Sequence, residues 1–176
     1  MTADPGGARL PRPGTLTAPA EAPQAGGGVV RYVAPMHLRM SPAPERGTVI
    51  LFDGVCNLCN AWVNFVLDRD RAETFSFGAQ QSAEGQTMLG ALHLEGRDLA
   101  GIILVAGGRV YTDSTAILEI CARLPRPWKW VALLRRVPRP VRDAVYRWIT
   151  THRYKWFGTS ATCRLPTPQL QRRFLP

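Results

Sequence analysis

The stretch Val49–Asp70, VILFDGVCNLCNAWVNFVLDRD, constrains the fold more than any other part of the chain. An apolar run with strand character, Val49-Ile50-Leu51-Phe52, leads through Asp53-Gly54 to two cysteines, Cys56 and Cys59, three positions apart. Leu58, Ala61, Trp62, Phe65 and Val66 then recur at helical offsets, the apolar stripe of an amphipathic helix. Strand, turn, Cys-x-x-Cys and helix thus follow one another without a gap. That order puts Cys56 at or just before the first helical turn, where unpaired backbone N–H groups and the macrodipole favour an anion. A thiolate is such an anion, so the position is expected to lower the Cys56 pKa and make the thiol reactive. Gly54 is expected to permit the tight strand-to-helix turn.

The rest of the composition limits what such a unit can belong to. A chain of 176 residues, 45% hydrophobic, suits one globular domain. Four cysteines are too few for a secreted disulfide scaffold. One Cys-x-x-Cys beside a β–α pattern reads instead as a redox dithiol in a cytoplasmic protein. No apolar run approaches the roughly 18 residues of a membrane span. The net charge of +9 is unevenly placed: +2 on residues 1–47, −3 on 48–127 and +10 on 128–176, where Asp143 is the sole acid.

Residues 1–47 hold eight Pro and seven Gly without a period, the composition of a disordered tail. The core is expected over residues 48–127. Thr74–Gly78 alternates as a second strand, and Gln80–Leu94 reads as a helix with Met88, Leu89 and Leu92 on its apolar side. Gly101–Ala106 has the continuous apolar character of a buried strand. Gly107-Gly108 signals a hairpin returning through Arg109–Thr112. Asp113 or Ser114 is placed to cap a helix carrying Ile117, Ile120, Cys121 and Leu124 on one face. The order β-α-β-α-β-β-α, with the dithiol at the first strand-to-helix junction, is thioredoxin-like: an α/β fold built on a mixed four-stranded sheet with helices on both faces. Residues 128–176 are expected to add a basic helical extension packed on that core within the same domain. It comprises a short helix Trp128–Val137 and a second that begins near Pro140 and carries Val141, Val145, Trp148 and Ile149.

The segment LFDGVCNLC, with Asp53, Cys56 and Cys59, resembles the D-x-x-C-x-x-C signature of the DCC-type thiol-disulfide oxidoreductases. GGRVYTDSTA, VPRPVRDAVYRW, RYKWFG and CRLPTP are similar to further segments of that family, so the resemblance spans about Val49 to Pro168. It implies a thioredoxin-like fold and protein-disulfide reductase or oxidoreductase activity. Thioredoxins proper carry a cis-proline before the third strand, facing the dithiol; this chain has Asp98-Leu99-Ala100-Gly101 there, which puts substrate docking by that route in doubt.

The functional residues expected are therefore Cys56 as nucleophile, Cys59 as resolving thiol and Asp53. Asp53 either relays a proton for Cys59 or holds the turn; residue chemistry leaves these even, and the family signature favours a functional role. The competing account of the two cysteines is half a zinc site, completed from Cys121, Cys163, His93 or His152, although none of these supplies a second ligand pair at metal spacing. Cys121, on an apolar helix stripe, is expected to be an inert core residue, and Cys163 structural rather than a third redox thiol. No cofactor is expected. The partners expected are a disulfide-containing protein or small molecule and a dithiol electron donor. The alternative function is a nucleic-acid or membrane-surface binding module with a redox-sensing or metal-binding dithiol, suggested by the basic, aromatic residues 128–176. Against it, the extension's aromatics are expected to pack on the sheet or on each other and leave its cations solvated, which disfavours nucleic acid as a partner.

Overall fold

A computed structural model describes residues 30–31, 47–94, 101–160 and 172–175. The apolar run becomes strand β2, Thr48–Phe52, in which Val49 through Phe52 are all buried. A strand buried along its whole length must have both faces covered and a partner on each edge. Ile50 and Phe52 point into a cluster with Val63, Val66, Ile120 and Leu124, whereas Val49 and Leu51 point to the opposite side, among Met88, Leu89 and Val110. On one edge β2 pairs in parallel with β3, Ser76–Ala79, and on the other it pairs antiparallel with β4, Ile103–Ala106.

The remaining elements follow the expected order. Helix α1 spans Asn57–Arg69, α2 Ala83–Ala91 and α3 Asp113–Arg123. Strand β5, Arg109–Tyr111, returns antiparallel to β4 through Gly107 and Gly108, whose φ values of 54° and 68° suit the tight hairpin. Helices α1 and α3 cover one face of the sheet and α2 the other. The fold is a mixed α/β, thioredoxin-like one. Val30–Arg31, inside the segment expected to be disordered, forms a two-residue strand β1 on the β5 edge, giving the order β1-β5-β4-β2-β3; the rest of residues 1–46 lies outside the described residues.

Local chemistry moves several boundaries. Helix α2 starts at Ala83 rather than Gln80, because the Ser82 hydroxyl oxygen accepts the Gly85 N–H at 3.0 Å. The inner stripe of α1 is Cys59, Val63 and Val66, with Leu58 half-buried and Ala61 exposed. Neither Asp113 nor Ser114 caps α3: Thr112 holds that position, and the Ser114 hydroxyl donates instead to Asp143 of the helix Arg139–Phe157.

The C-terminal extension departs most from expectation. Trp128–Arg136 is a 3-10 helix, and α4 runs from Arg139 to Phe157. Both pack on α3, and α4 also touches α1. Trp128 packs as expected, edge-on to Phe65 at 4.6 Å between ring centres. Trp148 and Trp156 pack on each other, also as expected, but the outer stripe of α4 that carries them faces away from the core. Val141, Val145, Trp148 and Trp156 are each about half exposed or more, and Trp148 and Trp156 contact only each other and His152 among the aromatic rings described. The buried residues of α4 are instead Asp143, Thr150 and Arg153. The helix is polar inside and apolar outside because its inner face meets charged and hydroxyl partners: Ser114 for Asp143, and Asp53 for Arg153.

A second buried ion pair closes the β3 edge. Asp70, at the end of α1, accepts the N–H groups of Thr74 and Phe75 at 3.0 Å each and pairs with Arg173. Arg173 also accepts the Phe77 N–H on its carbonyl at 2.7 Å, so Phe174 bridges Phe77 in parallel. Removing one partner of a buried pair leaves the other charge uncompensated, so Arg173→Ala should cost roughly 3 kcal/mol of stability. A urea-unfolding midpoint unchanged from wild type would contradict that.

Candidate active site

The turn after β2 is fixed by backbone and amide contacts before either thiol is considered. The Cys56 N–H donates to the Asp53 carbonyl at 3.3 Å, and the Asn60 N–H donates to the Cys56 carbonyl at 2.9 Å, opening α1. Asn60 Nδ2 donates to the Gly54 carbonyl at 2.9 Å, and the Gly54 N–H donates to Gln81 Oε1 at 3.0 Å. Gly54 is selected by space rather than by backbone angle: its φ is not left-handed, and a Cβ there would lie 3.2 Å from Ala79 Cβ. Cys56 is the N-cap of α1, and Cys59 sits one turn further on.

Both thiols are buried, Cys56 at 0% exposure and Cys59 at 4%. Its place at the start of α1 therefore does not expose Cys56. The reason is the chain leaving α4, which crosses Cys56 as an isolated antiparallel bridge at Thr159. Ser160 N–H donates to the Val55 carbonyl at 3.0 Å, and Asn57 Nδ2 donates to the Phe157 carbonyl at 2.9 Å. Gly158 turns the chain at φ 71°. Burial pushes the Cys59 thiol up to about 12, and a negative charge on Cys56, a hydrogen bond to Cys56 and the charge of Asp53 act in the same direction. Cys59 therefore keeps its proton at neutral pH.

Asp53, 3% exposed, sits beneath this turn. Its Oδ1 accepts the Val55 N–H at 3.2 Å and Gln81 Nε2 at 2.8 Å. Its Oδ2 accepts Arg153 Nη2 at 3.1 Å and the Tyr154 hydroxyl. Burial alone would raise the carboxyl pKa, but the bonds from Tyr154, Arg153, Gln81 and Val55 outweigh it and hold Asp53 below the usual value. Arg153 is charged for the reciprocal reason: burial opposes its charge, and Asp53 and Tyr154 more than restore it. A carboxylate with four donors and a depressed pKa is a poor proton acceptor near pH 7, so the geometry favours turn-holding over proton relay.

Asp98–Ala100, which stand in sequence where thioredoxins carry the cis-proline, lie outside the described residues. Gly101 follows at φ 110°, and a Cβ there would come within 2.3 Å of the Tyr146 hydroxyl. That hydroxyl accepts the Ile102 N–H at 3.1 Å, and Gln80 Nε2 donates to the Gly101 carbonyl at 2.8 Å. Helix α4 thus reaches the site through Tyr146 as well as Arg153. Among the described residues no three His, Cys, Asp or Glu side chains gather at metal-binding distance. Cys121 is buried on α3, where burial pushes its thiol to about 11, and Cys163 lies outside the described residues.

Sequence reasoning brought Asp53, Cys56 and Cys59 together as the structure does, but it missed Gln81, Tyr146, Arg153 and Tyr154. A signal was there: Asp143, Tyr146, Thr150 and Arg153 recur at offsets of three and four, a polar helical stripe.

The comparisons with known proteins follow the same residues. The DCC1-like thiol-disulfide oxidoreductase profile matches residues 50–159. The chain is 44% identical over 128 residues to the uncharacterized protein YuxK of Bacillus subtilis, covering 73% of this chain and 93% of that one. It is 38% identical over 122 residues to the chloroplastic DCC family protein At1g52590 of Arabidopsis thaliana, covering 69% and 71% respectively. No solved structure matches. With its signature cysteines at the start of α1 and the matched segment reaching Thr159 beside Cys56, the chain belongs to the DCC1-like thiol-disulfide oxidoreductase family.

Proposed function

We propose that this protein is a cytoplasmic dithiol-disulfide oxidoreductase working as a reductase of protein or small-molecule disulfides. The observation that carries this is the pair Cys56 and Cys59, one turn apart at the start of α1. In the proposed cycle the Cys56 thiolate attacks one sulfur of the substrate disulfide, and the other leaves as a thiolate that takes up a proton. The Cys59 sulfur then attacks Sγ of Cys56 and breaks the mixed disulfide, and the proton it gives up is taken by the departing substrate sulfur, which leaves as the second thiol. Two electrons pass to the substrate and leave a Cys56–Cys59 disulfide, which an external dithiol donor reduces. A glutathione- and thioredoxin-poised compartment favours this direction.

Protonated Cys59 suits the resolving role, because it stays inert until the mixed disulfide forms beside it. Asp53 is assigned as a positioning residue that ties the turn to α4 through Arg153 and Tyr154. Substrate reaches Cys56 once the Gly158–Ser160 segment moves aside. No helix among the described residues is long and apolar enough to cross a membrane.

Cys56→Ser should lower dithiothreitol-coupled insulin reduction by at least about 100-fold, as expected for loss of a nucleophile; unchanged turnover would end the proposal. Cys59→Ser should accumulate a mixed disulfide on Cys56, identifiable by mass spectrometry.

Asp53 has a folded-state pKa below its ordinary value, so its stabilising contribution is present above about pH 4 and is lost as pH falls through the folded value. Asp53→Asn should cost on the order of 2 kcal/mol near pH 7 and flatten the acid limb of the stability curve. An acid limb as steep as wild type would show that Asp53 is not its source.

Asn57→Ala removes the bond to the Phe157 carbonyl and should speed alkylation of Cys56 about threefold or more, read on the Cys56 peptide. An unaltered rate would mean that the covering segment does not control access.

A further inference from the structure

We infer that the outer face of α4 and the 3-10 segment before it form a docking surface for an anionic phospholipid bilayer. Val141, Val145, Trp148 and Trp156 run along one side of α4, and Trp130, Leu133 and Leu134 stand exposed on the 3-10 helix. Between the two helices lies an open groove of about 410 Å³ whose walls include Val131, Leu134, Val141, Val145 and Ile149. This arrangement is an amphipathic element turned outward, with aromatic and aliphatic side chains presented to solvent.

The charges around the face identify its occupant. Lys129, Arg136, Arg142 and Lys155 have no carboxylate partner among the described residues. Arg142 stands in the groove wall, with its Nε and Nη1 buried and unbonded. The one acid of the region, Asp143, is turned inward and held by Ser114 and Arg139. A second copy of the chain would bring like charges together across this surface, which disfavours self-association through it. A nucleic acid would satisfy the cations and leave the tryptophan stripe in water. An anionic bilayer satisfies both, since the apolar side chains enter the headgroup boundary while the cations meet lipid phosphates.

The test is flotation of the full chain with vesicles of three parts phosphatidylcholine to one part phosphatidylglycerol, beside phosphatidylcholine alone and duplex DNA. Binding to the anionic vesicles with a blue-shifted tryptophan emission is expected, falling severalfold on phosphatidylcholine alone and at high salt. Trp148→Ser/Trp156→Ser should weaken vesicle binding about tenfold or more, through loss of buried apolar surface. The same variant should keep the wild-type circular dichroism and insulin reduction, which separates docking from folding and from the redox activity. Absence of vesicle binding, binding indifferent to the double substitution, tighter binding to DNA, or a dimer whose formation hides Trp148 and Trp156 would each overturn the inference.

Discussion

The buried bond between Asp53 and the Arg153–Tyr154 pair is the interaction on which the site depends. It joins residues 100 positions apart in sequence, one at the turn beneath the dithiol and the other near the end of α4. A buried carboxylate is tolerable only when its charge is matched and its lone pairs are filled, and here a guanidinium, a phenol, an amide and a backbone N–H do both. Because Val55 and Gln81 donate to the same carboxylate, the bond also sets the path of the chain into Cys56. Helix α4 is thereby part of the site's frame. Its continuation supplies Thr159, which bridges Cys56 directly.

The protonation of Cys59 follows from its environment rather than from its order in the motif. Cys59 lies within the field of the ionised Asp53, against the first turn of its own helix, and both burial and that charge keep the proton on sulfur. Arg153 acts the other way on Cys59 but is largely committed to Asp53. The depressed Asp53 pKa and the elevated Cys59 pKa are thus two outcomes of one arrangement, with the carboxylate taking the available positive charge and the thiol left without it.

What could be read in the sequence was what local spacing encodes. The strand–turn–helix at Val49–Arg69, the Gly107-Gly108 hairpin and the apolar stripe ending at Leu124 come from periods of two and 3.6 and from glycine, all short-range signals. The partners of Asp53 were not legible because they are contributed across 100 residues by a helix whose inner face is polar. The same inversion turns Val145 and Trp148 outward. An apolar stripe is ordinarily assigned to the core, and on α4 the hydroxyls and charges of Ser114 and Asp53 claimed the inward positions instead. Burial of Cys56 was likewise invisible, since it results from a segment returning from the far end of α4.

The inverted polarity of α4 also has a thermodynamic consequence. A helix seated by Asp143, Thr150 and Arg153 exposes little new carbon when it lifts from the core, whereas unfolding of β2 and its neighbours exposes a great deal. Apolar exposure is what gives unfolding its large positive heat-capacity change and its steep response to denaturant. Opening of α4 would therefore carry a small heat-capacity change and a shallow denaturant slope, and its free energy would vary with temperature much less than that of the sheet. On warming or cooling away from the temperature of greatest stability, the sheet would weaken along a curved profile while the attachment of α4 held nearly level, so the margin between local opening and global unfolding would itself depend on temperature.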